Sequence, residues 1–157
     1  MPLRRLTPRE YAVNLAGVLL AMPIYARREW ADRETLERFA LHRAREMAVH
    51  AGRSVPLYRE RYRAAGVDPA TIRDWSGFAR LPLIDKADVR DGYPTRSVAE
   101  GSDLRRCLLS TSSGSTGSMM TIPHRADRFW PYLVSSQRML RWAAGGRRPR
   151  GSFASRA

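Results

Sequence analysis

The chain reads as a mixed α/β protein, a helical N-terminal region leading into a pair of short strands. Three observations carry that reading. A capping box, Thr7-Pro8-Arg9-Glu10, opens the chain. Helical spacing of apolar residues recurs over 32–51 and again over 127–144. Between two apolar segments stands Ser110-Thr111-Ser112-Ser113-Gly114-Ser115-Thr116-Gly117, a hydroxyl- and glycine-rich run whose composition forbids a stable helix interior.

In the first helix Thr7 is the N-cap, Pro8 takes the first helical position and Glu10 reaches back, with Leu6 and Tyr11 placed to form a staple. The apolar run Leu15–Ala26 is twelve residues long and interrupted by Pro23, whereas a membrane span needs about 20. Glu10 and Asn14 break the approach a secretory leader would need, and no Ala-x-Ala precedes Arg27. The expectation is a cytoplasmic chain without a membrane span.

A second helix is expected over 32–51, burying Leu36, Phe39, Ala40, Ala44, Met47 and Ala51 and closing at Gly52. Ser54 and Pro56 open a short helix with Tyr58 and Tyr62 on one side and Gly66 at its end. Asp68-Pro69 starts another that reaches Trp75; Leu81-Pro82-Leu83 is extended, and Asp85 caps a further helix with Asp88 three residues on, leaving Lys86 on the surface. Leu104–Leu109 reads as a strand entering the hydroxyl run and Met119–Ile122 as one leaving it. A last helix over 127–144 tolerates Pro131 near its first turn and offers Phe129, Tyr132, Leu133, Met139, Leu140 and Trp142 as its buried side. Gly145-Gly146 ends it, and residues 147–157 have too little apolar surface to order.

The hydroxyl run has the chemistry of a phosphate cradle. Glycine lets backbone N–H groups turn inward and approach a ligand, and Ser and Thr donate without bulk. A solvated Ser/Gly loop has the same composition; the flanking strands favour the cradle. The Walker pattern is excluded because Ser118-Met119 follow Gly117 where Lys and then Ser/Thr are needed. The dinucleotide fingerprint is excluded because it needs three glycines opening a helix.

The formal charge is +13, and every basic residue but Lys86 is arginine, which points to coding composition. Residues 1–103 carry 18 basic and 14 acidic side chains, a net of +4, and residues 104–157 carry 10 and 1, a net of +9. The excess therefore surrounds the hydroxyl run, where it favours an anion. The same charge raises a basic nucleic-acid binder as a third reading, but no nucleic-acid module or aromatic-interleaved basic repeat is present. The single Cys107 cannot form an internal disulfide and, in an apolar strand, reads as a small core residue. His42, His50 and His124 have no metal-ligand spacing, so no protein-built metal site is expected.

Residues Ser110–Pro123, STSSGSTGSMMTIP, resemble the Ser/Thr/Gly-rich signature of the adenylate-forming (AMP-binding) enzymes, in particular their phenylacetate-CoA ligase-like branch. The segments 55–60 (VPLYRE), 66–69 (GVDP) and 78–90 (FARLPLIDKADVR) resemble the lead-in of that branch in the same order and at similar spacing. The chain departs from the pattern at Ser118-Met119, where many members have Lys or another polar residue and then Pro.

The resemblance implies that residues 1–146 are the N-terminal part of an adenylation domain, truncated after its first strands, followed by a disordered tail at 147–157. It implies nucleotide phosphate binding by Thr111, Ser112, Ser113, Gly114, Ser115, Thr116 and Gly117. ATP is the implied cofactor, with Mg carried on the nucleotide, and in the full-length family a carboxylic acid and coenzyme A are the other reactants. A chain this short would lack most of the active site. Two readings follow: a ligase portion inactive by itself, or a non-catalytic remnant or split-protein half. Helix faces around Phe39, Met47 and Tyr132, which a longer chain would cover, would favour self-association.

Overall fold

In the computed structural model, which describes residues 5–112 and 119–144, the first helix begins where its capping box directs. Thr7 Oγ1 accepts from the Glu10 N–H at 3.3 Å and the Glu10 carboxylate accepts from the Thr7 N–H at 2.9 Å. Helix α1 (Pro8–Arg28) then continues through Pro23, the expected point of interruption. An internal proline removes one backbone bond at a cost of about 3 kcal/mol, which packing along the last helix offsets. Tyr11 is 66% exposed, so the staple with Leu6 buries little. The described residues form two compact units: one from 5–31 and 125–144, the other from 32–112 and 119–124.

In the first unit α1 packs on the helix Trp130–Ala143 and on a 3-10 turn, Ala126–Arg128. The expected helix from 127 thus starts at 130, with Pro131 harmless in its first turn. Asn14, 3% exposed, ties the parts together: its Nδ2 donates to the carbonyls of Glu10 and Ala126, each at 2.7 Å. Gly17 provides the room for Trp130, since a Cβ there would lie 2.5 Å from Trp130 Cγ. The expected buried face of the last helix is displaced. Val134 is the buried residue, whereas Tyr132, Leu133, Met139, Leu140 and Trp142 are exposed and Phe129 is half-buried against Tyr132. The helix is apolar on several sides, and the stripe that packs is Trp130, Val134 and Arg138 at i, i+4, i+8. Arg138 donates to Glu29 and lies over the rings of Tyr25 and Trp142.

The second unit is built on α2 (Arg33–Ser54) and α3 (Pro56–Ala64). Asp32 caps α2 by accepting from the Thr35 N–H at 2.7 Å. The helix passes through Gly52, the expected terminator, and ends at Ser54, with Val55 as its C-cap. Gly52 serves a contact instead: a Cβ there would meet the Tyr62 ring at 3.0 Å. The buried side of α2 centres on Ala48; Leu36, Ala40 and Met47 of the expected face are exposed, and Phe39, Ala44 and Ala51 are half-buried. Around this seam Val55, Leu57, Tyr62 and Ile72 form the core. Tyr58 and Tyr62 share a side of α3 in edge-to-face contact at 6.0 Å, and Gly66 ends the segment at φ 64°.

The single helix expected from Asp68 to Trp75 is two pieces, a 3-10 turn Pro69–Thr71 and α4 (Trp75–Phe78). Asp68 and Asp74 each cap their own turn, and Ile72 is buried between them. In α5 (Lys86–Asp91) the Asp85/Asp88 capping box forms and Lys86 is exposed. The segment after α5 is held to α2 and α3 by Leu57 N–H to Arg96 carbonyl (2.9 Å) and Glu100 N–H to Ser54 carbonyl (2.7 Å). Arg59 to Glu100, Arg61 to Asp88 and Arg96 to Glu60 add ion pairs, each at 2.5 Å. No helix among the described residues is long and apolar enough to cross a membrane.

Both the Gly17 contact and the Arg59–Glu100 pair can be checked by melting. Gly17→Ala would normally stabilise a helix interior by about 1 kcal/mol; against Trp130 it is overpacking and should destabilise the chain by about 1–3 kcal/mol in denaturant melts. A higher melting midpoint would contradict the contact. Glu100 is held below the usual carboxylate range, chiefly by the hydrogen bond from Arg59. The stabilisation it gives is therefore present above that range and lost as pH falls through it. Glu100→Gln should melt earlier than the parent chain at pH 7, with the gap closing below about pH 4.

Candidate functional site

The two strands flank the hydroxyl run, in a register shifted from expectation. Leu104–Arg106 is a 3-10 turn, and β1 is Cys107–Ser112. The cause is Asp103, whose carboxylate accepts from the Arg105 N–H at 3.0 Å and folds the next residues into a turn before the strand can start. Strand β2 is Met120–Arg125, beginning one residue later than expected and running through Pro123. The two pair as an antiparallel two-stranded sheet.

Of the residues assigned to phosphate binding, Thr111 and Ser112 belong to the end of β1, and Thr111 is exposed. Ser113, Gly114, Ser115, Thr116 and Gly117 lie outside the described residues, as does the tail 147–157. β1 carries the chain directly into the run. Its first residue, Cys107, is buried, with Sγ 3.6 Å from the Asp103 carbonyl, consistent with a core role.

One neighbour of the run escaped the sequence reading. Ser110 Oγ and His124 Nε2 lie 2.9 Å apart, joining the two strands at the first residue of the hydroxyl run. The pairing could be found in the sequence only by fixing the hairpin register, which the misplaced start of β1 prevented. Among the described residues no group of three His, Cys, Asp or Glu side chains is arranged to hold a metal ion. Arg105 and Arg106, exposed on the turn before β1, have no acidic partner among the described residues.

The chemistry available here is donation: hydroxyl groups, backbone N–H groups of a glycine-containing run, and nearby guanidinium charge. No Asp or Glu occurs between Asp103 and Asp127. Such a set suits phosphate oxygens and offers no carboxylate for general acid–base work.

No family model matches the chain. Curated relatives do. The chain is 32% identical over 120 residues to the phenylacetate-coenzyme A ligase of Escherichia coli (strain K12), an alignment covering 75% of this chain and 26% of that ligase. It is 33% identical over 122 residues to the phenylacetate-coenzyme A ligase of Pseudomonas putida, covering 76% and 27%. Against the enzyme of that name from Thermus thermophilus it is 30% identical over 121 residues, covering 77% and 26%. The alignments fall on the N-terminal quarter of each ligase. These alignments support a fragment of the phenylacetate-CoA ligase-like branch, and the chain spans about a quarter of the length of the curated relatives it matches.

The Ser110–His124 contact generates a measurable expectation. In a double-mutant cycle, Ser110→Ala and His124→Ala should be non-additive by about 0.5–1 kcal/mol in chain stability. Strict additivity would show that the two side chains do not support each other.

Proposed function

We propose that this chain carries the phosphate-gripping part of an ATP-dependent acyl-coenzyme A ligase. In this reading Thr111 to Gly117 hold the β- and γ-phosphates of Mg-ATP. A carboxylate attacks the α-phosphate to give an acyl-adenylate and pyrophosphate, and the thiol of coenzyme A then takes the acyl group with release of AMP. The observation that carries the proposal is the hydroxyl and glycine run between β1 and β2, free of carboxylates, in a chain aligned with phenylacetate-coenzyme A ligases. Donors without nearby acids suit a nucleotide that brings its own Mg; the metal would neutralise phosphate charge, while this chain's hydroxyls and N–H groups orient the phosphoryl groups.

The proposal includes residues 1–146 as part of an adenylation domain with 147–157 as an appended tail, working in the cytoplasm. It also includes inactivity of the chain alone. Gripping two phosphates does not fix the carboxylate against the α-phosphate, and that juxtaposition supplies roughly 7–11 kcal/mol in a complete site. A second reading is a non-catalytic chain. Met47 and Tyr132, 69% and 51% exposed, mark helix faces through which either version would self-associate.

The decisive measurement is carboxylate-dependent exchange of labelled pyrophosphate into ATP. The purified chain should give none across aryl and alkyl acids while a complete relative does; robust exchange by a monomer would overturn the proposal of inactivity. For the loop itself, Thr116→Ala and Gly117→Val at the matching positions of a complete relative should lower exchange on the order of 10²-fold, the cost of removing an oxyanion donor. Unchanged exchange in both would remove the phosphate role.

A further inference from the structure

A cavity of about 340 Å³ opens between the last turn of α2, the α3 helix and the turn at 67–70, well apart in sequence from the hydroxyl run. Val49, Val67 and the Tyr62 ring form an apolar part of its wall, and its lining also includes the guanidinium residues Arg53, Arg59 and Arg63 and one carboxylate, Asp68. Two of these four charges are already engaged. Asp68 accepts from the Ala70 N–H at 2.9 Å, and Arg59 is shared between the Glu100 carboxylate at 2.5 Å and the Arg53 carbonyl at 2.6 Å. The side chains of Arg53 and Arg63 have no partner among the described residues, and both residues are exposed.

We propose that this cavity binds a small organic anion, a ring-sized apolar body bearing one carboxylate or phosphate. The apolar body would lie against Tyr62 and Val67, and the anionic head would bridge the guanidinium groups of Arg53 and Arg63. The volume is at the lower end of small-molecule pockets, enough for one ring. A planar guanidinium fork matches both carboxylate and phosphate oxygens, and two free forks beside one apolar wall select an anion with an attached ring over a bare ion.

The test uses the whole chain, ¹⁵N-labelled, titrated separately with phenyl phosphate, benzoate and inorganic phosphate. Saturable amide shifts at Gly52, Val67 and Ala70 are expected with the two ring-bearing probes, and weaker ones with inorganic phosphate. The double variant Arg53→Gln/Arg63→Gln should weaken phenyl phosphate binding by about tenfold or more. Arg33→Gln, at the far end of α2 and roughly 30 Å away by helical rise, should leave it unchanged. Arg63→Glu is the second variant and should abolish binding at an unaltered melting temperature. No saturation by about 10 mM probe, equal weakening by Arg33→Gln, or shifts at Thr111 without shifts at Val67 would each overturn the proposal. The last outcome would credit the hydroxyl run instead.

Discussion

The close approach of the Tyr62 ring to Gly52 sets the geometry on which the second unit depends. A side chain at position 52 would meet the ring at 3.0 Å, so the α2–α3 spacing exists because residue 52 has none. With the helices that close, Leu57 is almost fully buried and Ile72 and Pro69 close the seam from the adjoining turn. The same spacing leaves Ser54 and Leu57 positioned to bond the backbone of Glu100 and Arg96. Those two bonds hold the segment that leads into β1, so the start of the hydroxyl run is tied back to one glycine in a helix.

Side-chain caps, most of them aspartates, punctuate the fold, and that made its element starts readable. Thr7, Asp32, Asp74 and Asp85 each accept from a backbone N–H three residues on, a geometry fixed by local sequence alone. Asp32 and Asp74 are both held below the ordinary carboxylate range, first by those backbone hydrogen bonds. Two misplaced elements trace to an unnoticed cap: Asp74 divided one expected helix in two, and Asp103 delayed β1 by three residues. Glycine and proline were less reliable markers. Gly52 and Pro23 both look like terminators, and both lie inside helices because packing against a neighbour outweighs their local preference.

Buried faces were the least legible feature. On α2 the apolar residues Leu36 and Met47 point away from the seam, while small Ala48 and Gly52 lie in it, because close helix packing selects small side chains over large ones. The last helix shows the same substitution of stripes, with Val134 buried and five larger apolar residues exposed. The candidate site stands between these extremes. Its chemistry was readable from residue types and order, since hydroxyl, glycine and missing acid are properties of the text. The Ser110–His124 contact was not, because it depends on strand register.

Charge ties these levels together. Between residues 32 and 100 five of the acids are matched to particular guanidinium groups: Glu37 to Arg33, Glu46 to Arg43, Asp88 to Arg61, Glu60 to Arg96 and Glu100 to Arg59. Each exposed pair adds little stability. Their collective effect is on the field, because a matched guanidinium presents little net charge to a ligand a Debye length away, about 8 Å in physiological salt. The unmatched ones carry uncompensated charge, and among the described residues they include Arg53 and Arg63 beside the cavity and Arg105 and Arg106 beside β1. A composition biased toward arginine thus yields local positive potential only where acids are absent, and the longest acid-free stretch between two acids, from Asp103 to Asp127, is the one that contains the hydroxyl run.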